Sequence, residues 1–325
     1  MRSRILELLR GAGGGFVSGE EIASRLGVSR TAVWKHIKEL RETGYGITSQ
    51  PRMGYSLMDA PDSLLPDEVR NGLGTRLIGR NMVYFDSIGS TNDEAKKRAA
   101  EGAPEGTVLV AEEQGMGKGR LERRFFSPKG KGIWFSVILR PKFLPQEAPK
   151  CTLLAAVSVA MAMEKFGLRA GIKWPNDILY EGKKLVGILT EMSAEMDRIN
   201  YVVIGTGINV NIAAEEFPDG IREVATSLSI MKGEPLSRVK FFQRVLEAME
   251  ELYTMASTQG FAPVMERWKE YSITLGQEVR VIGMGENASF SGIAADIDED
   301  GALLVDTSEG RRRVLAGDVS IRPGN

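Results

Sequence analysis

From Arg4 to Leu40 the apolar residues recur at helical spacing. Residues 4–10 carry one short apolar stripe, and Ser18 with Glu21 forms a capping box ahead of Ile22, Ala23 and Leu26. Gly27 supplies a turn, Ser29 a second N-cap, and Val33, Ile37 and Leu40, at i, i+4 and i+7, a second buried stripe. In "YGITSQPRMGYSL" the pattern changes to two short strands about a Pro-Arg-Met-Gly turn. Two capped helices in quick succession, followed by such a hairpin, predict a helix-turn-helix with a wing. With the stripe facing inward, Arg30, Thr31, Trp34, Lys35 and Lys38 fall on other faces, the first two near the helix end that reaches base edges in such motifs. A small helical interaction module, with Trp34 merely packing, is the competing reading.

The stretch "MDAPDSLLPDEV" reads as a polar, proline-marked linker near residues 59–66. Beyond it, "MVYFDSIGSTNDEAKKRAA" runs strand, turn, helix, with Thr91 and Glu94 in the positions of a capping box, so that free amides point at whatever sits beside Ser90 to Asn92. "TVLVAEEQ" and "GIWFSVILRP" are buried strands, and "CTLLAAVSVAMAMEKFG" is a helix apolar on most faces, hence interior. "IKWPNDILYEGKKLVGILTEM" places a Trp-Pro-Asn-Asp turn between two strand-like runs, with a hairpin at residues 181–184 that brings two lysines beside it. "YVVIGTGINVN" ends a strand in a glycine turn with Asn209 following, and short strands close the chain.

Composition narrows the chemistry. The 325 residues allow two or three domains, and 42 % hydrophobic with 26 % charged residues is the balance of a globular chain. The longest apolar stretch, Thr152 to Met163, is short of the roughly 18 residues of a membrane span. "MRSRILELLR" interrupts its apolar pattern with charges, unlike a secretory signal, so a cytoplasmic address without membrane partners is expected. One cysteine, Cys151, in apolar surroundings, and one histidine, His36, exclude a disulfide framework and a cysteine-rich metal site and argue against a Ser-His-Asp triad. Cations, carboxylates, backbone amides and a bound metal are left to do the work. Residues 1–58 hold nine Lys/Arg against five Asp/Glu, a net of +4; with −1 overall, the rest carries −5. Such asymmetry points the N-terminal part at a polyanion.

"QGMGKGRLERRFFSPKGKGIW", residues 114–134, spaces Gly115, Gly117, Gly119, Gly130 and Gly132 among Lys118, Arg120, Arg123, Arg124, Lys129 and Lys131, with Glu122 as the one acid. Glycine amides that approach closely, among cations, suit an anion. The loop is not of the G-x-x-x-x-G-K-[ST] type, and a solvated surface loop is the plain alternative.

Together these segments resemble a known family, the bifunctional biotin protein ligases that also act as the biotin operon repressor. The resemblance rests on "STN" at 90–92, "GKGRLER" at 117–123, "KWPNDI" at 173–178, "KKLVGIL" at 183–189 and "GTGINVN" at 205–211. It implies a multi-domain α+β chain: a winged helix-turn-helix over residues 1–62, a mixed-sheet catalytic domain over 63–272 and an SH3-like barrel over 273–325. The implied activity joins biotin and ATP into biotinyl-5'-AMP and passes biotin to a lysine of a biotin carboxyl carrier protein. No tightly bound prosthetic group is implied; operator DNA and a homodimer formed with adenylate bound are. By the same resemblance Ser90, Thr91, Asn92 and Gln114 contact biotin, Gly117, Lys118 and Gly119 belong to an ordering loop, and Arg120 and Lys184 act at the carboxylate and α-phosphate. Arg123, Trp174, Asn176, Asp177 and Asn209 fall to the nucleotide, with Asp177 a ligand for Mg²⁺. Leu121 and Glu122 depart from the family's pattern. Lipoate ligases share the catalytic fold, but the winged helix and "KWPND" favour biotin. A regulator without ligase activity is the other alternative that the departures leave open.

Overall fold

A computed structural model describes residues 1–120, 123–283, 289–316 and 319–323. The chain divides into two compact units, Met1–Ser63 and Leu64–Asn325. In the first, helices α1 (Arg2–Gly11), α2 (Gly19–Leu26) and α3 (Arg30–Glu42) precede a hairpin of β1 (Gly46–Gln50) and β2 (Gly54–Asp59). Ser18 Oγ accepts the Glu21 N–H at 3.0 Å and Ser29 Oγ the Ala32 N–H at 3.1 Å, so both N-caps form as the sequence predicts. The Glu21 carboxylate turns to Arg25 instead of completing the box. Ile5, Leu6, Leu9, Ile22, Val33, Ile37 and Leu40 are buried, and Gly27 ends α2 in the left-handed region. Arg30, Thr31, Trp34, Lys35 and Lys38 are all exposed on α3. Trp34, at 56 % exposure, is therefore not a packing residue within this unit.

The second unit opens with α4 (Pro66–Arg70) and then β3 (Met82–Phe85), α5 (Thr91–Ala100), β4 (Thr107–Ala111), β5 (Gly132–Leu139) and α6 (Lys150–Glu164). β6 (Gly171–Lys173), β7 (Asp177–Tyr180), β8 (Lys183–Ala194) and β9 (Ile199–Asn209) complete a seven-stranded sheet ordered β3-β4-β5-β9-β8-β7-β6. The β3–β4 pair is parallel and the others antiparallel, so the sheet is mixed. Short helices α7 (Asp219–Arg222) and α8 (Leu228–Lys232) lead to α9 (Arg238–Gln259) and α10 (Ala262–Tyr271).

Alternation along β5 explains why one sheet can carry a core on one side and a site on the other. Ile133, Phe135, Val137 and Leu139 enter the main core with α6 and α9, where the Phe135 and Phe242 rings lie 4.8 Å apart. Ile138 joins Leu109, Val203, Ala95 and Ala99 in a smaller cluster under α5. Trp134 and Ser136 share that second face by the same alternation. Helix α6 is buried on nearly all sides, as its sequence predicts, and burial pushes the Cys151 thiol up to about 12.

The last strands, β10 (Glu278–Gly283), β11 (Phe290–Ile297), β12 (Leu303–Thr307), β13 (Gly310–Val314) and β14 (Val319–Pro323), form an all-antiparallel sheet ordered β13-β12-β11-β10-β14. It is fastened to the rest of the unit by Lys150 Nζ, 3.0 Å from the Glu299 carbonyl, and by Trp174 Nε1, which donates to the Gly301 carbonyl at 3.1 Å. Among the described residues, no helix is long and apolar enough to cross a membrane.

One buried ion pair gathers several chain segments. Glu112, just past β4, accepts the Leu64 N–H on Oε1 at 2.8 Å and meets Arg238 Nη1 with Oε2 at 2.6 Å. The guanidinium also donates to the Gly132 carbonyl at 3.1 Å, and the Glu112 carbonyl accepts the Gly130 N–H at 3.1 Å. Leu64, within the stretch read as linker, is fully buried. Removing one partner of so buried a pair leaves the other charge uncompensated, at about 3–5 kcal/mol. Arg238→Met is accordingly expected to lower the unfolding free energy of the second unit, read by denaturant titration, by that amount, and Arg238→Met with Glu112→Gln to recover part of it.

Candidate functional site

Helix α5 starts at the site. The sequence places its cap on Thr91, but the structure corrects this: Ser90 is the N-cap, its Oγ 3.4 Å from the Asp93 nitrogen, and Thr91 is the first helical residue. The reason is competition. Gln114 Oε1 takes both the Thr91 N–H, at 2.8 Å, and the Thr91 hydroxyl, at 3.0 Å, while Glu94 turns to Arg98. Gln114 Nε2 in turn donates to Ser127 Oγ at 3.2 Å. Ser136 Oγ lies 2.8 Å from Thr91 Oγ1 and 2.6 Å from Asn92 Oδ1. Both Asn92 amide hydrogens are used within the chain, toward the Leu189 carbonyl at 3.2 Å and Glu191 Oε2 at 2.9 Å.

Ser90, Thr91, Asn92 and Gln114 line a small pocket with Lys118, Phe125, Leu189, Gly187, Gly205 and Gly207. The glycines are a condition of its shape. A Cβ on Gly205 would lie 2.0 Å from Asn92 Oδ1, and on Gly207 2.6 Å from the Phe125 ring. The "GTG" of the sequence is therefore a smooth floor on which Asn92 and Phe125 rest.

The basic glycine loop folds as a narrow hairpin. Gly119 N–H donates to the Arg123 carbonyl at 2.7 Å and Phe125 N–H to the Gly117 carbonyl at 2.8 Å, while Gly115 and Met116 are pinned to the Ile88 and Gly89 carbonyls. Its cations are distributed. Lys118 Nζ lies 2.7 Å from Asp93 Oδ2, Lys129 reaches Asp86 at 2.7 Å, and Arg120 donates to Asn176 Oδ1 at 3.2 Å and to the Ala316 carbonyl. Arg123 is exposed. The departures at Leu121 and Glu122 lie outside the described residues.

The Trp-Pro-Asn-Asp turn brings Lys184 Nζ to 2.7 Å from Asp177 Oδ1, across the tight β7–β8 hairpin, with the ammonium 5.7 Å from the Phe125 ring centre. Asn176 and Arg120 also border a second cleft of about 740 Å³ that includes Pro149, Ile188, Gly301 and Ala316. Trp174 is 2 % exposed and bonded to the C-terminal sheet, so it floors this region from within. Asn209 is buried too, its amide 2.9 Å from the Thr226 carbonyl. Asp177 is a single carboxylate with no cluster of metal-binding side chains about it among the described residues. One carboxylate supplemented by phosphate oxygens is a donor set suited to Mg²⁺.

Ser90, Thr91, Asn92, Gln114 and Lys118 thus converge, as do Arg120 with Asn176 and Lys184 with Asp177. Sequence reasoning passed over Ser136, Asp93, Lys96 and Glu191. A lone serine in the apolar run "GIWFSVIL" was the available signal for the first. The carboxylates and Lys96 give none without the fold.

Comparison with known proteins agrees with this architecture. Residues 2–56 match an HTH domain, residues 84–209 the biotin/lipoate A/B protein ligase family and residues 274–322 the biotin protein ligase C terminal domain. The chain is 44 % identical to the bifunctional ligase/repressor BirA of Bacillus subtilis (strain 168) over 99 % of its own length and 98 % of that protein's. It is 31 % identical to BirA of Escherichia coli (strain K12), over 96 % and 94 %. The biotin protein ligase from Aquifex aeolicus, solved in complex with biotin and ATP, superposes with a TM-score of 0.66 at 30 % identity, covering 75 % of this chain and all of that one. The fold is that of a biotin protein ligase. With the winged helix included, the chain belongs to the bifunctional ligase/repressor family.

Gly205→Ala is expected to cost about 1–3 kcal/mol of stability through overpacking against Asn92. It should also weaken biotin binding, measured by calorimetry on the folded variant, whereas Gly220→Ala, in α7 where a Cβ meets nothing, should leave biotin binding unchanged.

Proposed function

We propose that the chain activates biotin with ATP to biotinyl-5'-AMP, transfers biotin to a lysine of a biotin carboxyl carrier protein, and represses transcription at an operator in response to biotin. The observation that carries this reading is a hydrogen-bonding pocket lined by Ser90, Thr91 and Gln114 with Lys118 on its wall, beside Lys184, which lies against the pocket's Gly187 and Phe125, and next to the cleft of Arg120, which shares Leu189. A ureido head group needs neutral donors and acceptors; a carboxylate meeting a phosphate needs cations.

Biotin's carboxylate is ionised at neutral pH, so one of its oxygens attacks the α-phosphorus without a protein base, and pyrophosphate leaves. The carrier's lysine, entering as the free amine after losing a proton to solvent, then attacks the carbonyl of the mixed anhydride, and an amide forms as AMP departs and the second amine proton is released to water. Lys184 and Arg120 neutralise the oxygens that accumulate charge in the first step, and positioning supplies the rest of the acceleration. We assign Arg123, Asn176, Asp177 and Asn209 to the nucleotide side, Asn209 through its hold on the Thr226 carbonyl and Trp174 as internal support. Mg²⁺ accompanying ATP would be held by Asp177 and phosphate oxygens, screening the phosphate charge. The antiparallel C-terminal sheet is read as an SH3-like barrel and the site of action as the cytoplasm.

Labelled biotin supplied with ATP is expected to appear on a carrier domain, and labelled lipoate is not; the opposite labelling would replace the reading. In Arg120→Ala the adenylate should be retained more weakly and escape before transfer, because charge-assisted bonds are lost.

For the repressor, exposed Arg30, Thr31, Trp34, Lys35 and Lys38 would meet operator DNA, two copies on a two-fold site. Ligand that has already ordered the glycine loops lowers the cost of pairing two copies. A coupling of about 1–3 kcal/mol shifts assembly roughly 5- to 150-fold. Sedimentation should therefore show tighter dimers with biotin plus ATP than with neither, with operator affinity rising in parallel. Equal dimerisation with adenylate bound would separate the two functions.

A further inference from the structure

From Lys118 at the pocket, three further charged side chains that the ligase reading does not use, Asp93, Lys96 and Glu191, continue in a line. Lys118 Nζ sits 2.9 Å from Asp93 Oδ1 and 2.7 Å from Oδ2. Lys96 Nζ bridges Asp93 Oδ1 at 3.2 Å and Glu191 Oε1 at 2.7 Å, and Glu191 Oε2 accepts from the Asn92 amide at 2.9 Å. The line crosses from the hairpin to the first turn of α5 and on to β8.

We propose that Asp93, Lys96 and Glu191 are positioning residues that hold Lys118 over the head-group pocket and Asn92 beneath it, so that they govern how tightly that pocket retains its ligand. The inference rests on the biotin ligase reading for the identity of the ligand, but not for the positioning itself. Three features support it. Asn92 is fixed on both amide hydrogens and on its oxygen, leaving it a strut between α5, β5 and β8. With Lys118 fixed to Asp93 the pocket has about 20 Å³ of room, near the volume that a single water needs. A ligand larger than that needs the lining to give, and Lys118 to Asp93 is one of the contacts that hold the hairpin arm Gly117–Gly119, alongside its backbone bonds to Arg123 and Phe125. Finally, burial alone would raise the Asp93 carboxyl, yet hydrogen bonds from Lys118 and Lys96 hold it below its ordinary value.

The carboxylate and ammonium are both partly exposed, so each contact is modest, and the expected effects are about 2- to 5-fold. The test uses the full chain. Hydrogen exchange at the Gly119 and Phe125 amides, which close the hairpin, is read without ligand in Asp93→Asn, in Lys118→Met and in the double variant. Each single substitution should raise exchange by that factor, and the double variant no further. Lys96→Met and Glu191→Gln should act in the same direction, and their effect on the hairpin should vanish in the Lys118→Met background; an effect of lost stability alone would persist there. Biotin release measured by stopped-flow should accelerate in the same order. Additive effects, or unchanged exchange, overturn the proposal. Faster exchange in a protein whose parent binds no biotin supports the positioning and removes only the ligase reading.

Discussion

Glu112 is a carboxylate that cannot leave its place without stranding something else. A buried charge survives only when its lone pairs are matched, and here the matching partners come from widely separated positions: the Leu64 amide where the second unit begins, the Arg238 guanidinium at the start of α9, and through it the Gly132 carbonyl. Gln114 and the hairpin follow two residues later, and the return strand β5 begins at Gly132. The ends of the ligand loop are thus referenced to the same point as the chain arriving from the winged helix unit. Everything that the loop does chemically, it does from that fixed base.

Much of the fold was legible because it rests on short-range physics. The caps at Ser18 and Ser29 need only residues within a turn, and β5 and α6 announce their burial by being apolar on every side. Thr91 shows where local reasoning stops. Its spacing to Glu94 satisfies a capping box, yet Gln114, distant in sequence, competes for its hydroxyl and the cap passes to Ser90. The site was legible where glycines and cations cluster in sequence, as at residues 117–120. It was not legible at Glu191 or Ser136, whose importance comes from strand register: Ser136 faces Gly205 across the β5–β9 pair, which puts it under Asn92.

The same register explains how a site for a carboxylic acid can be built with so little titratable chemistry. Charges lie at the rim, on Lys118, Arg120, Lys184 and their carboxylate or carbonyl partners, while the interior offers hydroxyls, amides and bare glycine backbone. Water is removed from the neutral part of a ligand and charge is met only where charge arrives. Proteins that need a general base must perturb one; the adenylation step, whose nucleophile is already a carboxylate, makes no such demand.

A mixed anhydride is an acylating reagent, and any unpaired nucleophile near it becomes a target. The only cysteine is sealed in α6 with its thiol pushed up to about 12, and the only histidine lies in the other unit beside Glu39. Lys118 and Lys184 each lie 2.7 Å from a carboxylate oxygen, of Asp93 and of Asp177. With so few thiols and imidazoles in the chain, the nucleophile that the anhydride awaits is the incoming lysine of a partner.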